Sequence, residues 1–288
     1  MITAEKFGGL DPEAIRATLL AAAAAAAGET LPRFRTRLAV DNKLAGGFDP
    51  VTDGDREAER AIRETIAARF PDHAIVGEEM AAKASASRFS WIVDPIDGTR
   101  AFISGAPVWG TLIGFRVDGR TVAGLMAQPF TGELFLGLPG EASYRRGAES
   151  FPLRTSGETD LARAKISTTA PEIFETSGSD AAWHRLRRAT LQTRYGLDCY
   201  AYCMLAAGHL DLVCEAALKD VDLAPLVPVI ENAGGVVSTW DGAPAEHGGN
   251  CLASATPELH RAALEVLNAR QLTGGRGRTN GHLSAAPP

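Results

Sequence analysis

One short stretch constrains this chain more than any other: Trp91-Ile92-Val93-Asp94-Pro95-Ile96-Asp97-Gly98-Thr99. An apolar strand expected over 89–93 runs directly into Asp94, and a second carboxylate, Asp97, follows three residues later. Pro95 bends the chain and removes one amide donor. Gly98 permits close backbone approach. Thr99 is placed to open a short helix through Arg100, Ala101 and Phe102, where outward-pointing amides favour an anion such as phosphate. One loop therefore offers oxygen ligands, among them the Ile96 carbonyl, together with an anion cradle and a hydroxyl. The plain alternative is turn chemistry, since Asp-Pro and Asp-Gly pairs are common in turns and Asp and Thr are common caps.

Other carboxylates fall at comparable places. Gly77-Glu78-Glu79 follows a strand expected over 73–76, and Asp222 opens a helix after the strand and loop that carry Glu215 to Asp220. Alone, each reads as a solvated turn or a helix cap. Gathered together they need compensation, because burying carboxylates without counter-charge is costly. Few lysines or arginines lie in these segments, which points to a hard divalent cation. Magnesium prefers oxygen ligands and often binds beside a substrate phosphate.

The chain has 288 residues, near the size at which a single core stops growing. Its formal net charge of -6 leaves no basic footprint, which argues against nucleic acid as a partner. An anionic substrate would need a local source of positive charge. Cys199, Cys203, Cys214 and Cys251 contain no C-x-x-C pair, and buried free thiols in a reducing cytoplasm are expected. The N-terminus lacks a signal pattern, and the run Ala21 to Ala27 is too short to cross a bilayer. Close helix packing is its expected role, and no membrane partner is expected.

Asp11-Pro12-Glu13 signals a helix start, and that helix is expected to run to about Gly28. Gly46-Gly47-Phe48-Asp49-Pro50 reads as a loop. A second helix over 55–69 carries an apolar stripe of Ala58, Ile62, Ile66 and Phe70. Strands over 111–115, 121–127 and 133–138 form an antiparallel meander. Beyond Leu161, strands over 165–168, 210–214, 236–238 and 251–254 alternate with helices over 179–191, 199–207, 223–232 and 257–269. The order suggests an α+β fold of stacked helix and sheet layers. The tail from Gly274 is rich in Gly, Arg, Asn and Pro, and disorder is expected there.

Three blocks, Asp49-Pro50-Val51-Thr52-Asp53-Gly54-Asp55, Gly77-Glu78-Glu79 leading to Trp91 through Thr99, and Asp222 through Gly235, resemble the magnesium-dependent inositol monophosphatase-like phosphatases. The resemblance implies a layered αβαβα sandwich of the inositol monophosphatase and fructose-bisphosphatase type. It covers 1–271 as one domain of two halves: 1–150 for metal and phosphate, 151–271 for substrate. The 272–288 tail is left over. The resemblance further implies two or three Mg2+ ions. Glu78, Asp94 and the Ile96 carbonyl would hold the first, and Asp94, Asp97 and Asp222 the second, with Glu78 and waters at a weaker third. Thr99, supported by Asp49, would orient the attacking water, and the Gly98 and Thr99 amides would touch phosphate. A homodimer is implied on the same ground. One departure is Val221, where many members carry Trp.

The run Arg194-Tyr195-Gly196-Leu197-Asp198-Cys199-Tyr200-Ala201-Tyr202-Cys203 resembles the histidinol-phosphate phosphatase branch of this family. Histidinol phosphate carries an ammonium and an imidazole, which Asp198 and Glu215 could bind, and Glu215 could equally serve the hydroxyls of a polyol such as inositol. Asp198 could equally cap the following helix, and Arg194 could face the site or pair with a carboxylate. Tyr200, Tyr202, Cys199, Cys203 and His209 are expected to be structural. Inositol monophosphatase, a bisphosphatase on the same fold, and a regulatory protein acting through a partner remain the alternatives.

Overall fold

The Asp11 carboxylate accepts the Glu13 amide and starts α1 (Pro12–Thr30), with Pro12 where its missing donor costs nothing. The computed structural model describes residues 3–37, 39–43 and 50–269. The expected 272–288 tail, and Asp49 with the glycines before it, lie outside those residues. Ala22, Ala23 and Ala26 of α1 are buried, as expected of a close helix contact, and α1 packs on α2 (Asp53–Arg69). Between the two helices, β1 (Asp41–Asn42) and β2 (Pro50–Val51) pair antiparallel. α2 starts two residues before the expected position because Thr52 and Asp55 form a reciprocal capping box.

Next come β3 (Ala74–Gly77), β4 (Phe89–Asp97), α3 (Thr99–Ile103), β5 (Gly110–Val117), β6 (Arg120–Gln128), β7 (Glu133–Leu138), β8 (Glu141–Arg146) and β9 (Glu149–Pro152). The strands form one seven-stranded sheet in sequence order, parallel only at β3–β4. β8 and β9 extend the expected meander. β8 alternates only briefly, burying Ala142 and Tyr144, and the exposed edge strand β9 buries nothing.

The second half holds β10 (Lys165–Thr168), α4 (Glu172–Thr176), α5 (Asp180–Ala189), β11 (Gln192–Tyr195), α6 (Asp198–Ala206), β12 (Leu212–Leu218), α7 (Asp220–Leu223), α8 (Val227–Asn232), β13 (Val236–Thr239), β14 (Gly249–Ser254) and α9 (Pro257–Asn268). Its five strands lie in the order β11-β10-β12-β14-β13. The single helix expected over 223–232 is instead α7, a 3-10 turn over Ala224–Leu226, and α8. Pro225 and Pro228 supply the breaks, each lacking an amide.

α1 and α2 cover one face of the large sheet, and the 3-10 turn and α8 press on the other. α6 and α8 fill the space between the two sheets. α4, α5 and α9 cover the outer face of the small sheet. This is the expected αβαβα layering. All four cysteines are buried free thiols. Among the described residues no helix is long and apolar enough to cross a membrane.

Strand alternation aims the chemistry inward. On β4, Trp91 and Val93 join the core under α1 and α2, while Ile92 meets Val221 and Ala224 on the opposite side. Asp94 follows Ile92 onto that side. On β12, Leu212, Cys214 and Ala216 face the outer core, whereas Val213 faces the central one, and Glu215 follows Val213.

The proline-broken segment needs room, and two paired glycines provide it. Gly124 of β6 sits opposite Gly137 of β7. A methyl group at Gly124 would lie 2.0 Å from the Pro225 carbonyl oxygen, and one at Gly137 would lie 2.3 Å from the Pro228 carbonyl carbon. Backbone cannot swing away as a side chain can. Gly137→Ala should therefore cost about 1–3 kcal/mol, a fall in Tm of roughly 3–10 °C by thermal denaturation. Gly28→Ala on α1, where nothing lies within 4 Å, should instead be neutral or mildly stabilising. Equal losses in both variants would show that the notch is not what limits position 137.

Candidate active site

The end of β4 is irregular for a chemical reason. Its register against β5 shifts between Asp94 and Asp97, where Pro95 offers no amide to the ladder. The Asp94 carboxylate accepts the Ile96 amide at 3.0 Å, and the Pro95 carbonyl accepts the Thr111 hydroxyl at 2.8 Å. β4 thus continues to Asp97, beyond the expected end at Val93. Gly98, at φ 81°, then turns the chain into α3. The Thr99 hydroxyl donates to the Ile96 carbonyl at 3.1 Å and lies 3.5 Å from an Asp55 carboxylate oxygen.

Carboxylate oxygens of Glu78, Asp94 and Asp222 all lie within 4.8 Å of one another. With Asp97, Ile96, Gly98 and Thr99 they line a cavity of about 190 Å³. Asp222 sits in the first turn of α7 and accepts the Lys219 amide at 2.8 Å, so it caps and lines the cavity at once. Asp94 is held far above the ordinary carboxylate range by burial and by the charges of Glu78, Asp97 and Asp222. Burial, with Asp222 and Asp198 nearby, does the same to Asp97. Burial and Glu78 push Asp222 up to about 6, against the Lys219 amide bond.

Two lysines distant in sequence also reach this cluster. Lys219 donates to Glu78 at 2.8 Å, and Lys43 lies 3.3 Å from the same oxygen. Burial raises Glu78, but its hydrogen bonds from Lys219 and Asp94 and the two ammonium charges win and hold it below the ordinary value. Three cations, Lys43, Lys219 and the Arg100 that also lines the cavity, do not balance Glu78, Asp94, Asp97, Asp198 and Asp222, and Lys43 is shared with Glu79. Buried acids left in excess, aimed into one cavity and reluctant to ionise, are a donor set that fits a hard divalent cation.

A second cavity of about 150 Å³ shares Asp97, Asp198 and Asp222 with the first and adds Thr169, Ile173, Tyr202 and Glu215. Glu215 accepts the Thr169 amide at 2.6 Å and its hydroxyl at 3.0 Å. Burial nonetheless pushes Glu215 up to about 8, and Asp198 up to about 6. Asp198 does not cap α6; it is the first helical residue, at φ 46°. It packs so closely on Gly98 that a methyl group there would lie 3.1 Å from the Asp198 Cβ. The next amide, Cys199, donates to Asp97 at 2.9 Å.

Glu78, Asp94, Ile96, Asp97, Gly98, Thr99, Asp198, Glu215 and Asp222 are therefore brought together. Arg194 is not: it is exposed on the edge strand β11 and lines neither cavity. Asp49 lies outside the described residues. The carboxylate found beside Thr99 is Asp55, in the first turn of α2. Its signal was present, since Thr52-x-x-Asp55 ahead of an apolar stripe is a capping box. Cys199 and Cys203 belong to the central core, as expected, and His209 is exposed. Volume alone does not mark the site. A larger cavity, about 500 Å³, lies beside β13 and α9, where His260 is locked between the Ser238 and Ser254 hydroxyls.

The inositol monophosphatase family model matches residues 11–272. The bifunctional phosphatase IMPL2 of Arabidopsis thaliana is 36% identical, over 85% of this chain and 73% of its own length. A histidinol-phosphatase of Mycobacterium tuberculosis is 32% identical, over 87% of this chain and 97% of its own. A solved inositol monophosphatase from Zymomonas mobilis superposes with a TM-score of 0.77 at 35% identity, covering 88% of this chain and 97% of that one. Matched from α1 to beyond α9, and folded in the same layers, the chain belongs to the inositol monophosphatase family, a family of metal-dependent phosphatases.

Proposed function

We propose that the chain hydrolyses a phosphate monoester with an amine-bearing leaving group, histidinol phosphate being the best fit, with Mg2+ as cofactor. One observation carries the leaving-group reading. The cavity next to the acidic cluster is walled by Asp97, Asp198, Glu215 and Asp222 and has no Lys or Arg among its described lining residues. A cationic leaving group would relieve the burial cost that raises Asp198 and Glu215. The 32% identical histidinol-phosphatase supports the same reading.

Glu78, Asp94 and the Ile96 carbonyl would hold one ion, and Asp94, Asp97 and Asp222 another, with Glu78 at a weaker third. The Ile96 carbonyl already accepts the Thr99 hydroxyl, and its second lone pair would serve the ion. Mg2+ bound there supplies positive charge to the phosphoryl oxygens and makes nearby water a better nucleophile. The Gly98 and Thr99 amides cradle the phosphate. The Thr99 hydroxyl, backed by Asp55, orients the attacking water for in-line displacement without a phosphoenzyme. Residues 1–150 supply the phosphate side, and residues 151–271 supply Asp198, Glu215 and Asp222.

Asp97→Asn should weaken Mg2+ binding and lower kcat by more than about a hundredfold, since even outer-shell partners of a metal are worth about ten- to a hundredfold. Activity retained at saturating Mg2+ would remove Asp97 from the ligand set. The substrate is tested by comparing histidinol phosphate, inositol monophosphate, a nucleotide bisphosphate and a sugar bisphosphate with Mg2+. Histidinol phosphate should give the highest kcat/KM. The Zymomonas mobilis relative makes inositol monophosphate the specific rival. Preference for it would overturn the amine-bearing leaving group and leave the phosphatase intact.

The raised carboxylates also set a pH dependence. Asp94, Asp97, Asp198 and Asp222 bind protons more tightly folded than unfolded. Stability from this source is complete below the ordinary carboxylate range and is lost as pH rises through the folded values. Metal-free protein should therefore melt at a lower temperature at about pH 8 than at about pH 5, with Mg2+ raising Tm more at the higher pH. A Mg2+ effect that is larger at the lower pH would contradict the assignment of these groups as ligands.

A further inference from the structure

The first turn of α6 is tied down on both sides of the cavity wall it forms. On the metal side, the Cys199 amide donates to Asp97 at 2.9 Å. On the other, the Tyr200 hydroxyl donates to Glu133 at 2.9 Å. Glu133 stands at the start of β7, in the large sheet, and is itself fixed. One of its oxygens also accepts the Thr131 hydroxyl at 2.7 Å, and the other accepts the Tyr144 hydroxyl at 3.1 Å. The Phe135 ring meets Tyr200 edge-on, with centroids 6.0 Å apart. Burial and the adjacent Glu133 keep the Tyr200 phenol protonated, so it acts as a donor throughout the working pH range.

Asp198 lies one residue before Cys199 and two before Tyr200, and its φ of 46° is a backbone conformation L residues seldom adopt. Such a residue persists when its surroundings over-determine it. Neither Glu133 nor Tyr200 lines either cavity at the site, so any effect they have on substrate must pass through α6.

We infer that Glu133 and Tyr200 are positioning residues for the leaving group: their hydrogen bond fixes the first turn of α6 and thereby the direction in which Asp198 presents its carboxylate. This rests on the reading that Asp198 meets the leaving group. The large sheet, which supplies the acidic end of β4, thus also sets the geometry of the specificity wall. Glu78, Asp94 and Asp97 stand at the ends of β3 and β4, so hydrolysis depends on that tether only through the Cys199 amide that donates to Asp97.

The test compares Tyr200→Phe, Glu133→Gln and Asp198→Asn with wild-type protein. Each is assayed with Mg2+ on the preferred ester and on p-nitrophenyl phosphate, whose aryl leaving group offers Asp198 no cation. Tyr200→Phe removes one hydrogen bond and should raise KM for the preferred ester about three- to tenfold. Its kcat, and its KM for p-nitrophenyl phosphate, should stay near wild type. Glu133→Gln keeps one acceptor oxygen and should raise KM less. Thermal melts establish that each variant is folded. A KM for the preferred ester that is unchanged in Tyr200→Phe, or one that rises equally for both substrates, would overturn the positioning role. If Asp198→Asn itself leaves KM unchanged, the leaving-group reading falls, and the positioning role falls with it. If Asp198→Asn raises KM and Tyr200→Phe does not, only the positioning role falls.

Discussion

Mutual repulsion among buried carboxylates is the constraint around which this molecule is arranged. Asp94 and Asp97 leave one strand three residues apart, and Glu78 and Asp222 arrive from two other elements. Left ionised and dry, such a group costs several kcal/mol per charge even after relaxation. The chain offsets part of that cost with its own donors. The Ile96 amide serves Asp94, the Cys199 amide serves Asp97, the Lys219 amide serves Asp222, and the Lys219 ammonium serves Glu78. These bonds do not neutralise the cluster, and the raised proton affinities of Asp94, Asp97 and Asp222 are the measure of what remains. A site that still holds protons tightly is one that a hard cation can enter by displacing them.

Placing Asp222 is a packing problem before it is an electrostatic one. α7 must lie against the large sheet for its carboxylate to reach β4. That approach depends on the glycine notch at Gly124 and Gly137, which receives the backbone around Pro225 and Pro228. Val221 lies buried against Ile92 and Ala224. The prolines that break the expected helix are thus also the residues seated in the notch. A continuous helix through that stretch would have needed the amides they lack.

Much of the fold was legible because its signals are local. Alternation marked the meander, the Asp11-Pro12 cap marked α1, and the apolar stripe marked α2. The acidic loop at Asp94 to Thr99 was legible for the same reason, being a turn with unusual chemistry in consecutive residues. What escaped was set by tertiary contact. The pairing of Thr99 with Asp55 spans forty-four positions, and that of Lys219 with Glu78 spans one hundred and forty-one. β9 and β11 are exposed edge strands, and polar edges carry no apolar alternation. Sequence alone leaves Arg194 open between facing the site and pairing with a carboxylate; the fold puts it on an exposed edge strand, while Asp198, four residues on, stands in the cavity wall.

The two cavities differ in how firmly the fold holds them, and this bears on how specificity can vary while chemistry stays fixed. Asp94 and Asp97 are set by the end of a central strand, and Glu78 by the end of its parallel neighbour. Moving any of them would mean moving the sheet. In the second cavity Asp97 and Glu215 come from strands β4 and β12, and the rest of the proposed leaving-group wall includes first-turn and loop residues: Thr169 after β10, Ile173 on the short α4, and Asp198 at the start of α6. Such positions accept substitution at little cost to the core. Relatives named for histidinol phosphate and for inositol monophosphate can therefore share one layered scaffold. In this chain the proposed leaving-group wall carries two acids, Asp198 and Glu215. Arg100 eases the burial of Asp198, and the Thr169 amide and hydroxyl ease that of Glu215, yet both carboxyls stay raised, and a cationic leaving group of the kind proposed would relieve them further.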